Sequence, residues 1–292
     1  MKKQIRAMMI GAHPDDCDFR CGGLALLYSQ AGHVVKYLAM VNGNGGHHLM
    51  SPEGIAARRR KETLNVAKLA GIAYDVWDIP DCELMPDLET RKRLVREIRR
   101  FAPDIIFTSR PNDYHADHRA AAILVQDASY LLTVPHFCPD VPAMRQMPVI
   151  MHFYDHFQNP PFRPDVLIRT DEVIEKKFQI LACHESQVFE WLPYTKGTLD
   201  QVPTDPAERF EWLHQPRLPR DSKSMDEELL SKNLIGTTSE CKEAVPAAKY
   251  RQKLIERYGE EIGSNTCFAE AYSVSEYGSA LTAENERDFF PF

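Results

Sequence analysis

Four short apolar runs, each followed by a stretch of helical periodicity, occupy the first 132 residues of this chain. Ile5 to Ile10 is nearly continuous in apolar side chains and Asp104 to Thr108 is of the same buried type, as suits strands covered on both faces, and Val34 to Val41 and Tyr74 to Ile79 are expected as the second and third strands. The intervening segments, Gly22 to Ala31, Glu53 to Ala70, Leu88 to Phe101 and His118 to Leu132, are expected as helices. In the third of them Leu94, Val95, Ile98 and Phe101 recur on one face, and Gly32, Gly71 and Pro103 act as stop signals. The order βαβαβαβ calls for a parallel sheet, since each crossover returns the chain to the same end. The expected fold class is therefore α/β, a Rossmann-like sandwich with a mostly parallel sheet and helices on both faces.

Further along, Val149 to Tyr154, Val166 to Arg169 and Cys267 to Val274 are expected as strands, and Asp171 to Val188 and Ala247 to Ile262 as helices. Glu190 to Val245 is rich in Pro, Trp and charge with little periodicity, and is expected as an irregular excursion or lid. The division is thus a Rossmann-like domain over 1–189, with the excursion and the terminal helix and strand over 190–292 packed on the same domain.

A hydrophobic share of 43% is enough for a substantial core, which excludes a disordered chain. A net charge of -7 disfavours a phosphate backbone, so nucleic acid is not an expected partner. The seven cysteines are scattered without a Cys-x-x-Cys pair, pointing to a reducing, cytoplasmic compartment. The first apolar stretch is too short for a secretory signal, and no run approaches the ~18 residues of a membrane span. Self-association is left open.

Two polar clusters fall at strand ends. Ala12-His13-Pro14-Asp15-Asp16 follows the first strand, and Arg110 to His118 follows the fourth. In the common 3-2-1-4 strand order those strands are neighbours, so both clusters flank one crevice at the carboxyl edge. Two histidines and a carboxylate suit a catalytic zinc site with an open position for water; His13, Asp16 and His118 could supply them. Asp15 suits a base, and His115 with Asp117 suits a protonated histidine that stabilises an oxyanion. Each feature has a plainer account: Asp16 as a turn residue, Asp117 as a helix cap. Their joint occurrence at two strand ends favours the metal site.

These segments resemble the PIG-L (LmbE-like) zinc-dependent deacetylases. Ala12 to Asp16 matches the family's Ala-His-Pro-Asp-Asp signature, and His115-Ala116-Asp117-His118-Arg119 matches its second motif. Gly43 to Gly46, Arg59 to Glu62 and His184-Glu185-Ser186-Gln187 are similar to its glycine loop, Arg-x-x-Glu helix and later His-x-Ser-Gln segment. The resemblance implies zinc held by His13, Asp16 and His118, Asp15 as general base, and His115 with Asp117 as the oxyanion-stabilising pair. It also implies that Arg59 contacts substrate oxygens. Many members carry Glu after Asp-Asp; here Cys17 and Asp18 follow, so metal affinity is expected to be tuned differently.

The expected activity is removal of an acetyl group from an N-acetylated amino sugar or glycoconjugate. Asp113, Tyr114 and His184 are further candidates for substrate contact, and His47, His48, Trp191, Tyr194 and Trp212 are weaker ones. Three rivals stand beside it. A nucleotide-binding module would need closely spaced glycines after the first strand, where this chain has two carboxylates. An amidase for a different acyl group keeps the site and changes the substrate, and a non-catalytic carbohydrate-binding protein keeps only the fold.

Overall fold

The computed structural model describes residues 4–231 and 238–292. Strands β1 (Arg6–Gly11), β2 (Val34–Ala39), β3 (Ala73–Val76), β4 (Ile105–Thr108), β5 (Val149–Phe153), β6 (Val166–Arg169) and β7 (Ala269–Val274) form one sheet in the order β3-β2-β1-β4-β5-β7-β6. It is parallel from β3 to β5, and β7 then runs antiparallel to both β5 and β6. The 3-2-1-4 portion is the order expected from the sequence.

Alternate residues of each central strand serve opposite faces, which is why both faces can be covered. Met9, Phe107 and Met151 pack with α1 (Asp16–Gln30) and α2 (Pro52–Ala70). Met8, Ile10, Ile106 and Ile150 pack with α3 (Leu88–Phe101) and α4 (Ala116–Leu131). Helix α3 begins and ends where its stripe predicts: Asp87 caps it by accepting the Thr90 N–H at 2.8 Å, and Leu94, Val95 and Ile98 are buried.

Four expectations need correction. Helix α1 starts at Asp16, six residues before Gly22, and is kinked at Cys21 (φ -147). The N–H groups of Gly23 and Leu24 beyond the kink are taken up by Glu270 of β7, at 2.8 Å each, so a distant carboxylate acts as the cap of the second segment. The helix expected over 171–188 is α5 (Ile174–Cys183), followed by a π-helical turn over Ser186–Trp191.

The excursion over 190–245 is largely helical: α6 (Leu192–Lys196), α7 (Pro206–Leu213), α8 (Ser222–Ser231) and α9 (Ser239–Lys249). These pieces are too short for a periodicity to stand out, yet Leu213, Leu218, Met225, Leu229 and Cys241 pack on Phe178 and Leu181 of α5. Residues 232–237 of that stretch lie outside the described residues. The expected terminal helix is broken at Tyr250 and Gly259 into the end of α9, α10 (Arg251–Tyr258) and α11 (Glu260–Asn265), with a short α12 (Glu286–Phe289) after β7. Among the described residues no helix is long and apolar enough to cross a membrane.

A buried ion triad ties α9 to the rest. Lys177 of α5, fully enclosed, lies 2.5 Å from Glu243 of α9 and 2.7 Å from Glu270 of β7. Removing the single cation leaves two carboxylates in a low-dielectric interior, the situation in which breaking a buried pair costs most. Lys177→Met is therefore expected to lower unfolding free energy by roughly 3–5 kcal/mol, read as the urea midpoint. A loss below about 1 kcal/mol, the range of exposed pairs, would reject this account of the triad.

Candidate active site

β1 and β4 pair with Ile10 opposite Thr108, so the loops leaving their carboxyl ends emerge side by side. In the first loop the Asp16 carboxylate accepts the N–H groups of Ala12 and His13, both at 2.8 Å, folding the chain back over the strand end. Gly11 is required there, because a Cβ on it would lie 2.6 Å from the Asp16 Cβ. In the second loop His115 is the N-cap of α4, its Nδ1 accepting the Asp117 N–H at 3.1 Å.

The two loops bring His13 Nδ1 within 3.2 Å of His118 Nε2. The Asp16 carboxylate completes the triangle, 3.6 Å from the first nitrogen and 3.3 Å from the second. Donors bonded at ~2.0–2.1 Å to a tetrahedral cation are separated by roughly 3.4 Å, so this His, His, carboxylate set fits a divalent ion such as zinc. His115 is a neighbouring donor: its ring nitrogen lies within 4.8 Å of those of His13 and His118. Each of these rings is steadied from behind, with His118 Nδ1 3.0 Å from Asp113 Oδ1 and His13 Nε2 3.3 Å from Asp117 Oδ2.

Burial pulls the His13 imidazole down, but Asp117 and Asp16 outweigh it and raise it to about 9. Burial likewise opposes the charge on His118, which Asp16 and Asp113 raise to about 10. A cation entering the cluster must displace the protons these carboxylates hold there.

The cluster opens on a cavity of about 470 Å³ lined, among others, by Asp15, Arg59, Tyr114, His115 and Trp191. Among the described residues Asp15 is held at one oxygen, its Oδ1 lying 3.0 Å from Arg59 Nη2, which also donates to the Pro14 carbonyl at 2.9 Å. The glycine loop makes room for this arginine: Gly43 has φ +78, and a Cβ there would meet Arg59 Cδ at 2.6 Å.

Several expected roles change on this geometry. Asp117 is directed to His13 rather than to His115, from whose Nδ1 it is 3.9 Å, and burial with the neighbouring His13 and His118 lowers the His115 imidazole instead of raising it. Asp113 is spent on His118 Nδ1 and the His115 N–H and does not reach the cavity. His184 is wholly enclosed, 2.8 Å from Asp18, which also receives the Tyr74 hydroxyl; it too lies away from the cavity. Arg59 is buried against Asp15, whereas Tyr114 stands exposed at the cavity wall.

Of the weaker candidates, His47 is bound to Glu190 at 2.7 Å, His48 stacks on Tyr194, Trp191 lines the cavity, and Trp212 packs beside Phe189. Cys17 is buried beside Cys21, and burial pushes its thiol up, so it acts as a core residue. Sequence reasoning missed Asp81, which clasps the glycine loop through the N–H groups of Gly43 and Gly45. It also missed Cys82, whose N–H fixes Asp117 Oδ2 at 2.7 Å from a left-handed conformation (φ 67), and the cavity residues Arg20 and Lys242; Gln187 of the later motif lines the cavity as well.

Fold and site together define an α/β protein with a histidine and carboxylate cluster suited to a divalent cation at its carboxyl edge. Residues 8–129 match the family model described as GlcNAc-PI de-N-acetylase, the PIG-L family. Similar proteins include the 4-oxalmesaconate hydratase of Pseudomonas putida, 25% identical over 206 residues that cover 68% of this chain and 80% of that one. The diacetylchitobiose deacetylase of Thermococcus kodakarensis is 29% identical over 206 residues, 65% of this chain and 75% of that one. Among solved structures, the N,N'-diacetylchitobiose deacetylase of Pyrococcus horikoshii matches with a TM-score of 0.66 at 22% identity, covering 94% of this chain and 85% of the other, a likeness of fold.

Because Asp113 orients His118 without touching the cluster's centre, Asp113→Ala is expected to weaken zinc affinity by roughly 10–100-fold while the protein stays folded. Chelator competition measures this, and an unaltered dissociation constant would overturn the positioning role.

Proposed function

We propose that the protein is a metal-dependent N-deacetylase that removes an acetyl group from an N-acetylated amino sugar or glycoconjugate. The observation that carries this reading is Asp15, a half-buried carboxylate on the cavity wall that adjoins the ligand-type residue Asp16 and, among the described residues, is anchored at Oδ1 alone. His13, Asp16 and His118 would hold the ion, taken as zinc, which when bound makes a water more acidic and polarises a carbonyl.

The other groups are assigned from their surroundings. Asp15 Oδ2 takes the proton of the attacking water, with Arg59 keeping the carboxylate turned to the cavity. Burial raises the Asp15 carboxyl against the opposing pull of Arg59, which brings it nearer the pH at which a base and later an acid are both needed. His115 acts as a neutral ring. Its Nδ1 accepts a backbone N–H, so its own proton resides on Nε2 and serves the carbonyl oxygen as negative charge develops. Asp15 then returns its proton to the departing amine. Tyr114, exposed beside both histidines, is left to meet the sugar.

The names of the diacetylchitobiose deacetylases support the amide substrate, while the hydratase relative shares the need to activate water. Release of acetate with a new primary amine from N-acetylated sugars separates these outcomes from each other and from a non-catalytic sugar-binding protein. Asp15→Ala is expected to cut kcat by roughly 10²–10⁴-fold with zinc content retained, and His118→Ala to lose zinc. Turnover surviving in the Asp15 variant would reject the assignment of the base.

A further inference from the structure

The cavity does not stop at the histidine cluster. It extends to an end walled by Arg20 of α1, Tyr154 and His156 after β5, and Lys242, Glu243 and Glu270. We infer that this end is a subsite for an anionic group of the substrate, a carboxylate or phosphate gripped by Arg20 and Lys242. The inference deepens the deacetylase reading and rests on it for the bond that is broken.

The charges at this end do not cancel pairwise. Glu243 is committed to Lys177 at 2.5 Å, and Glu270 divides its oxygens among Lys177, the Gly23 and Leu24 N–H groups and the Tyr272 hydroxyl. That leaves Arg20 and Lys242 without a carboxylate within ion-pair distance among the described residues. Arg20 is not loose, since its Nη1 donates to the Tyr154 carbonyl at 2.8 Å, which fixes the guanidinium and leaves its other donors available. Arg20 adds to the pull of His118 that lowers the Asp113 carboxyl and opposes the burial that raises the Tyr114 phenol, so its charge is felt at the histidine cluster.

Lys242 lies in a crowd of cations. Burial together with Lys196 and Arg20 pushes its ammonium down to about 8. Lys249 sits over the Tyr154 and Tyr250 rings, and burial with Arg20, Lys249 and Lys242 holds the His156 imidazole down. Like charges gathered on a cavity wall, in a chain of net charge -7, are balanced once an anion enters. A planar guanidinium and a point-charge ammonium are the pair that recognises an oxyacid.

The test uses the full-length, zinc-loaded protein and three probes: N-acetylglucosamine, N-acetylmuramic acid and N-acetylglucosamine 6-phosphate. Dissociation constants are measured by calorimetry and acetate release is followed in parallel. At least one acidic probe is expected to bind roughly 10–100-fold more tightly than the neutral sugar, and which one does so identifies carboxylate or phosphate. In Arg20→Met and in Lys242→Met the ratio of acidic to neutral affinity is expected to fall toward one; the Lys242 change guards against a folding defect at Arg20. An acidic sugar bound no better than the neutral one, or a preference kept in both variants, overturns the subsite. Tight acidic binding without acetate release upholds the subsite and rejects the deacetylase reading, so the two fail separately.

Discussion

The parallel ladder between β1 and β4 is the constraint on which the site depends. Its register sets Ile10 against Thr108, and the residues that converge on one cation-sized space come from the loops that follow. Both strands are buried on their two faces, so a slip of one position would turn Met8 and Ile10 into the layer built for Ala7 and Met9. Packing of the core therefore also sets the separation of His13 and His118, although neither contributes to the core.

Carboxylates do most of the remaining positioning. Asp16 folds the first loop through two backbone N–H groups while facing both histidines; Asp113 and Asp117 each steady one ring; Asp81 clasps the glycine loop that accommodates Arg59. An acidic chain is in this sense well suited to a cationic centre. Its negative groups hold the His13 and His118 rings in orientation and compensate charge that would otherwise be isolated in the interior. The part of the cavity wall that carries Arg20 and Lys242 reverses the sign.

Strand positions and the two polar clusters were legible because apolar runs and dense local motifs are visible at short range. The partners of those residues were not. Asp117 neighbours His115 and His118 in sequence, and only the helical direction of α4 shows that its carboxylate turns to His13. Asp113 looked like a substrate contact because the direction of a loop carboxylate is not encoded in its spacing. His184 was equally ambiguous, since its partner Asp18 lies 166 positions away. Segment 190–245 was misjudged as irregular because helices of five to eleven residues carry too few turns for a stripe. The Lys177, Glu243 and Glu270 triad joins residues 66 and 93 positions apart and has no local signature.

Helix α9 carries two neighbouring residues with opposite obligations. Glu243 is locked to the interior by Lys177, whereas Lys242 faces the cavity. The wall of this chamber is therefore pinned rather than hinged, and what it admits is decided by the side chains mounted on it. Exchange at position 242 changes the lining without touching the ion triad, whereas a change at Glu243 breaks it.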